Sequence, residues 1–312
     1  MTQQTHTPDK FVIVVAGPTA VGKTDLCIHL AAAFHTDIIS ADSRQFFKEI
    51  TIGTAKPTIE ERQGITHHLI DSHSITQNYN AAAFEKDALA IAGTIFQQKD
   101  VVILTGGSGL YIKTFCEGLD EIPATDPAIR ENLTTLYQQE GLTPLLAQLD
   151  TIDPLYGQLV DRANPQRVIR ALEVSLNTGQ PYSSFRKHTA VPRPFYIIKI
   201  GLNRDREELY NRIDARMEQM LASGLVEEAS GLMAYKAHNA LQTVGYSEVF
   251  DYLDGRYDYT EMVRLLKRNS RRYAKRQLTW FNKDSQIKWY HPDAYEQIVC
   301  YIKDQIEKVK LA

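Results

Sequence analysis

The chain is short of everything that would carry it into an oxidising compartment or a bilayer. Cysteine is nearly absent: Cys27, Cys116 and Cys300 are the only three in 312 residues. They are widely separated and odd in number, which excludes a disulfide framework and reads as three small buried hydrophobes in a reducing compartment. MTQQTHTPDK opens with no apolar segment of signal-peptide length, and no run approaches the ~20 apolar residues of a membrane span. The expectation is a cytoplasmic protein that makes no membrane contact. Charge of one sign is lacking too. A formal net charge of −3 argues neither for nor against a polyanionic partner, because a local patch matters more than the total. No internal repeat and no low-complexity segment occurs. His67, His68 and His73 lie close together but without helical i, i+4 spacing or cysteine partners, so they read as packed or hydrogen-bonded histidines and not as a zinc site.

What is present starts at residues 11–26, FVIVVAGPTAVGKTDL. A β-branched apolar run, Phe11–Val15, leads into Gly17, Pro18, Thr19, Ala20, Val21, Gly22, Lys23 and Thr24, and a helical pattern then continues to Phe34. This is a strand, a phosphate loop of the form GxxxxGKT, and a helix. Gly17 and Gly22 let the chain turn tightly, so that successive backbone N–H groups face one small bowl at the positive end of the helix. Lys23 adds a mobile cation, and the Thr24 hydroxyl can hold a magnesium ion. A diphosphate or triphosphate belongs there; the loop alone does not say which.

The remaining pattern extends this unit. Asp37–Ser40 reads as a second strand, followed by Ala41, Asp42, Ser43, Arg44 and Gln45. An acidic residue just past a strand's carboxyl end, in a sheet that begins with a phosphate loop, stands at the ligand-binding rim. Asp42 is therefore either a site carboxylate or an N-cap or turn aspartate. Residues 52–57 read as loop. Asn80–Gln98 is an alanine-rich helix, the aliphatic run to Leu104 a buried parallel strand, and the turn Gly106–Gly109 opens into another helix, Leu110–Glu117. Alternation of this kind implies a doubly wound α/β core, P-loop NTPase-like, with a parallel sheet. From Leu119 to Pro194 no strand-like run occurs; Asp126–Glu140, Thr143–Leu149 and Pro165–Asn177 look helical. We therefore expect a core of residues 1–118 and 195–312 and a helical insertion of residues 119–194.

In the last helix of the insertion Asn164 caps, Pro165 takes the first turn, and Arg167 and Arg170 share a face, either as a solvated pair or as part of a site. Phe195–Ile200 restores the sheet. Asp205–Ser223 is a charged helix with Arg212 and Arg216 four residues apart, and one of the two could reach the phosphate loop. The final helix runs from Met262 to Trp280. At about 100° per residue, Arg264, Lys267, Arg268, Arg271, Arg272 and Lys275 spread over one side, and Met262, Leu266, Tyr273 and Trp280 line the other. No acidic residue lies between Glu261 and Asp284. Such a helix repels itself unless it meets a polyanion or serves as an unusual solubility face; a nucleic acid is the partner expected.

GPTAVGKT, ADSRQ, IGTAKP, HHLID, TGGSGLY, NPQRVIRALEV, TVGY and AKRQLTWF occur in an order that resembles the tRNA dimethylallyltransferase (isopentenyltransferase) family over nearly the whole chain. No zinc-finger extension follows, so the bacterial form is implied. The resemblance implies transfer of a five-carbon allylic group from dimethylallyl diphosphate to the exocyclic N6 of adenosine 37, just 3′ of the anticodon, in tRNAs reading codons that begin with U. It implies Asp42 as general base, with Thr19, Lys23 and Arg216 on the diphosphate, and magnesium on Thr24. RNA contacts carried over are Asp42, Ser43, Arg44, Gln45, Ser108, Arg130, Gln166, Arg167, Val168, Ile169, Arg170, Gln242, Thr243, Gly245 and Tyr246 through Ser247, and the basic helix from Arg271 through Arg272, Lys275 and Arg276 to Thr279. The partner implied is the anticodon stem-loop of tRNA, bound by a monomer. Phe47 replaces the family's usual tyrosine and Ser108 its usual threonine; serine keeps the hydroxyl, and phenylalanine loses one. A P-loop kinase of a small molecule is the alternative reading of Lys23, Thr24 and Asp42, and a non-catalytic RNA-binding module with a relic nucleotide site is a third. A role for ATP stays open.

Overall fold

The computed structural model describes residues 9–187 and 189–311. The chain divides into two compact units: one takes in the chain up to Cys116 and again from Pro192, the other is Glu117–Val191.

In the first unit the elements run β1 (Phe11–Ala16), α1 (Lys23–Ala33), β2 (Ile38–Ser40), β3 (His67–His68), α2 (Ala81–Ile95), β4 (Val101–Gly106) and α3 (Gly109–Glu117). The second unit holds α4 (Pro127–Glu140), α5 (Thr143–Ile152), α6 (Pro154–Leu159) and α7 (Pro165–Thr178). The chain then returns through β5 (Tyr196–Leu202), α8 (Arg206–Ala222), α9 (Leu225–Gly231), α10 (Tyr246–Leu253), α11 (Tyr259–Phe281), β6 (Lys288–Tyr290) and α12 (Tyr295–Lys310). The six strands described form one sheet in the order β3-β2-β4-β1-β5-β6, and each pairing is parallel. This is the α/β architecture expected of a phosphate-loop core.

The sheet is covered on both faces, which is why its central strands are apolar without alternation. Along β1 the side chains take turns: Val12, Val14 and Ala16 join one core with Ile39, Leu104, Phe84 and Phe115. Phe11, Ile13 and Val15 join the other with Leu26, Leu30, Ile38, Ile200 and Ile298. The second unit has a core of its own, formed by Leu133, Leu145, Leu149, Val168, Ile169 and Leu172.

Several expectations need correction. The basic helix is not the last element: β6 and α12 follow it. β6 has three residues at the sheet edge, too few to show a period, and α12 buries only Ile298 and Ile302. β3, two residues long, is likewise below what periodicity can report. Cys300 is exposed while Cys27 and Cys116 are buried, because residue 300 lies on the face of α12 opposite Ile298 and Ile302. The histidines are packed or hydrogen-bonded, as expected: His68 Nε2 meets Asp37 at 3.0 Å, and the His73 ring packs on Tyr79 with centroids 3.8 Å apart. Phe47 is buried against Phe46, so an aromatic without a hydroxyl suits the core there.

Candidate phosphate and RNA site

The phosphate loop joins the end of β1 to the start of α1, and cations hold it in shape. Lys23 Nζ donates to the carbonyls of Gly17 and Pro18 at 3.0 and 2.7 Å. Arg212 Nε reaches Ala20 O, and Arg204 Nε reaches Val21 O, both at 2.9 Å. Four loop carbonyls are thus committed to side chains. The amides of Ala20, Val21 and Gly22 make no hydrogen bond among the described residues. Gly22 caps α1 with φ of 106°, a conformation in which a side chain would strain the backbone. Unpaired amides at a helix N-terminus form an anion cradle.

Asp42 lies beside this cradle. Its Oδ1 accepts from the Arg44 amide at 2.9 Å and the Gln45 amide at 3.4 Å, so the turn role holds, and the same carboxylate acts on the charged groups of the site. Burial pushes the Lys23 ammonium down to about 8, with Asp42 opposing and Arg216 adding to that shift. Burial also lowers Arg216 and Arg44, each again countered by Asp42. The Tyr273 hydroxyl is pushed up to about 12 by burial and then by Asp42. A carboxylate, three cations and a phenol therefore share one partly desolvated space.

Hydrogen bonds tie the neighbouring segments together around these groups. Ser108 Oγ accepts from the Ser43 amide at 2.9 Å and donates to Ser43 Oγ at 3.0 Å, locking the second glycine turn to the turn after β2. Gln45 Nε2 donates to Thr54 O and Ala55 O, and Arg216 Nη2 also meets Ala55 O, at 3.4 Å. The Glu228 carboxylate accepts from the amides of Thr51, Ile52 and Gly53 at 2.9, 2.9 and 3.0 Å and from the Tyr246 hydroxyl. Residues 52–57, expected as plain loop, start with a short 3-10 turn, Ile52–Thr54, capped by that carboxylate.

Thr24 is exposed on the first turn of α1, and no group of three His, Cys, Asp or Glu gathers as a metal cage among the described residues. One hydroxyl beside an anion cradle fits magnesium that keeps phosphate oxygens and waters as its other ligands.

The RNA-facing assignments divide. Val168 and Ile169 are 0% and 2% exposed in the helical unit's core, and Tyr246 is 0% exposed, so these three make no surface contact; i, i+3 and i+4 neighbours face inward while Gln166 and Arg167 face solvent. Gly245 is buried as well, its amide donating to Glu248 at 2.8 Å, while Gln242 is exposed and Thr243 half-buried. Arg130 and Arg170 both meet the buried Glu173, at 3.0 and 3.1 Å, and Arg130 also donates to Gln166.

On α11 the cations are not all alone. Arg264 pairs with Glu261, Lys267 with Glu218 and Arg271 with Asp214; α8 provides the last two acids, which the local sequence could not reveal. Arg272, Lys275 and Arg276 form no ion pair among the described residues. With Thr279, Trp280 and Lys283 they line a shallow hollow of about 410 Å³. Trp280, expected on the apolar side, is 37% exposed. The buried stripe is instead Met262, Leu266, Ser270, Ala274, Gln277 and Phe281. Gln277, which lies within the stretch Arg271–Thr279 carried over as RNA contacts without being singled out, turns inward: Oε1 accepts from the Thr19 amide and Nε2 donates to Gly107 O, both at 2.9 Å. A polar residue in register with the apolar stripe was the signal for it.

With this geometry in view, the IPP transferase family model matches residues 45–284. The chain is 52% identical over 300 residues to the tRNA dimethylallyltransferase of Cytophaga hutchinsonii, covering 96% of this chain and 99% of that one. Among solved structures it is similar to the full-length tRNA isopentenylpyrophosphate transferase of Bacillus halodurans, with TM-score 0.71 and 36% identity over 97% of this chain and 98% of that one. It is also similar to a eukaryotic dimethylallyltransferase acting on tRNA, with TM-score 0.80 and 25% identity over 96% and 80%. The chain belongs to the IPP transferase family.

Proposed function

We propose that the chain is a tRNA dimethylallyltransferase, moving a dimethylallyl group from dimethylallyl diphosphate to N6 of adenosine 37 in tRNAs that read codons beginning with U. The observation that carries the reading is the convergence of Asp42, Lys23 and Arg216 beside an anion cradle whose amides are unpaired. The allylic C–O bond breaks and its electron pair stays on the departing diphosphate. The loop amides, the Thr19 hydroxyl, Lys23 and Arg216 stabilise that charge as it develops. Thr24 would be among the ligands of a magnesium ion bound with the diphosphate, and such an ion would neutralise part of the same charge. The N6 lone pair forms the new C–N bond, and its proton passes to Asp42 and on to solvent.

The target base leaves its stack to reach such a site, and loop nucleotides are the accessible ones. Arg272, Lys275 and Arg276 hold the backbone of the anticodon stem-loop; Arg44, Ser43 and Gln45 border the base, and Arg130, Gln166, Arg167 and Arg170 form the RNA surface of the helical unit. We take the active species to be a monomer. Incubation with dimethylallyl diphosphate, magnesium and tRNA from a strain lacking the modification tests the proposal: nucleoside mass spectrometry should find one five-carbon unit on adenosine. Consumption of ATP with a small alcohol, and no change in the tRNA, would overturn it.

A further inference from the structure

α11 has two working faces. Outward it carries Arg272, Lys275, Arg276 and Trp280. Inward, on the intervening turn, it carries Gln277, 6% exposed. That side chain is bonded at both ends to the glycine turns of the site, to the Thr19 amide in the phosphate loop and to the Gly107 carbonyl after β4. A Cβ on Gly107 would lie 2.2 Å from Gln277 Nε2, so the second hydrogen bond requires glycine. A primary amide offers an acceptor and a donor on one planar group. Glutamate would keep the acceptor and lose the donor, and leucine would lose both. Because the Thr19 amide is turned to Gln277, this bond sets the tilt of the peptide next to the cradle.

We infer that Gln277 is a positioning residue that links RNA binding on α11 to diphosphate binding in the phosphate loop. A small shift of α11 on engaging RNA moves Thr19 and Gly107 together, through one buried amide. The inference rests on the transferase reading of the site.

The test measures binding of inorganic pyrophosphate with magnesium to the full chain, by calorimetry, with and without an unmodified anticodon stem-loop RNA. In the wild type the RNA tightens pyrophosphate about fivefold or more, and pyrophosphate tightens RNA by the same factor, as linkage requires. In Gln277→Leu the factor falls to about one, while RNA alone binds within about twofold of wild type. Gly107→Ala, which displaces the same amide from its other end, gives the same result and carries the test should Gln277→Leu fail to fold. An undiminished factor in the folded variants would overturn the inference while leaving the transferase intact, and so would a wild type that transfers the dimethylallyl group with no linkage. A wild type that binds pyrophosphate but neither binds the RNA nor transfers would overturn both the inference and the reading beneath it.

Discussion

Asp42 does two things with one carboxylate: Oδ1 holds the turn through the Arg44 and Gln45 amides, and the group's charge acts on the cations around the cradle. Asp42→Asn keeps an acceptor for the turn and removes the base. We expect transfer to slow by roughly 10²–10⁴ with RNA affinity and unfolding midpoint unchanged; single-turnover kinetics beside RNA binding checks this, and a parallel loss of RNA binding would mean the residue docks substrate instead. Lys23 sets the pH behaviour. The ammonium is the form that attracts a diphosphate, and its folded-state value is about 8 against an ordinary 10.5. The free enzyme therefore loses that charge as pH rises through about 8, and kcat/KM for the allylic diphosphate falls above it. A bound diphosphate favours the ammonium, so kcat holds to higher pH. A kcat/KM profile that stays flat above about pH 8 would contradict this account.

The two halves of α11 differ in charge although their sequences look alike. Arg264 and Lys267 already face carboxylates, whereas Arg272, Lys275 and Arg276 form no ion pair among the described residues. Replacing the last three by alanine should reduce the slope of log Kd against log salt by about 0.7 for each phosphate of single-stranded RNA that is no longer neutralised. Replacing Arg264 and Lys267 should leave the slope unchanged, and a salt titration of stem-loop binding compares the two. The capped turn at Ile52–Thr54 is a second element whose stability lies in one residue. Glu228→Ala removes the acceptor of three amides and the partner of the buried Tyr246 hydroxyl, and hydrogen bonds to a charged group are the strong ones. We expect a loss of about 3 kcal/mol in denaturant unfolding. A loss below about 0.5 kcal/mol would mean water replaces the carboxylate.

The helical unit, Glu117–Val191, has its own core, so damage there should stay local. Leu149 is fully buried in it, and Leu149→Ala should cost about 3 kcal/mol. Hydrogen exchange should quicken within residues 117–191, while pyrophosphate binding to the phosphate-loop unit stays as in the wild type. Faster exchange throughout β1 and β4 would show that the two units unfold as one.

Much of this was legible from residue order, for a physical reason. Apolar runs bounded by glycine, the GxxxxGKT spacing, the Asn164 and Pro165 helix start and the cation-rich stretch after Glu261 are local patterns, and each local pattern dictates its own backbone. So the parallel sheet, the cradle, the place of Asp42 at its rim and the helical insert could all be read before any coordinate. The short edge elements β3 and β6 could not, since two or three residues show no period. Neither could the facing of side chains. Whether Lys267 and Arg271 stand free or meet Glu218 and Asp214, whether Tyr246, Val168 and Ile169 meet RNA or a core, and whether Gln277 looks out or in depend on which helix face meets which neighbour. Those pairings join residues far apart in the chain, up to 258 positions between Thr19 and Gln277, and only packing brings them together.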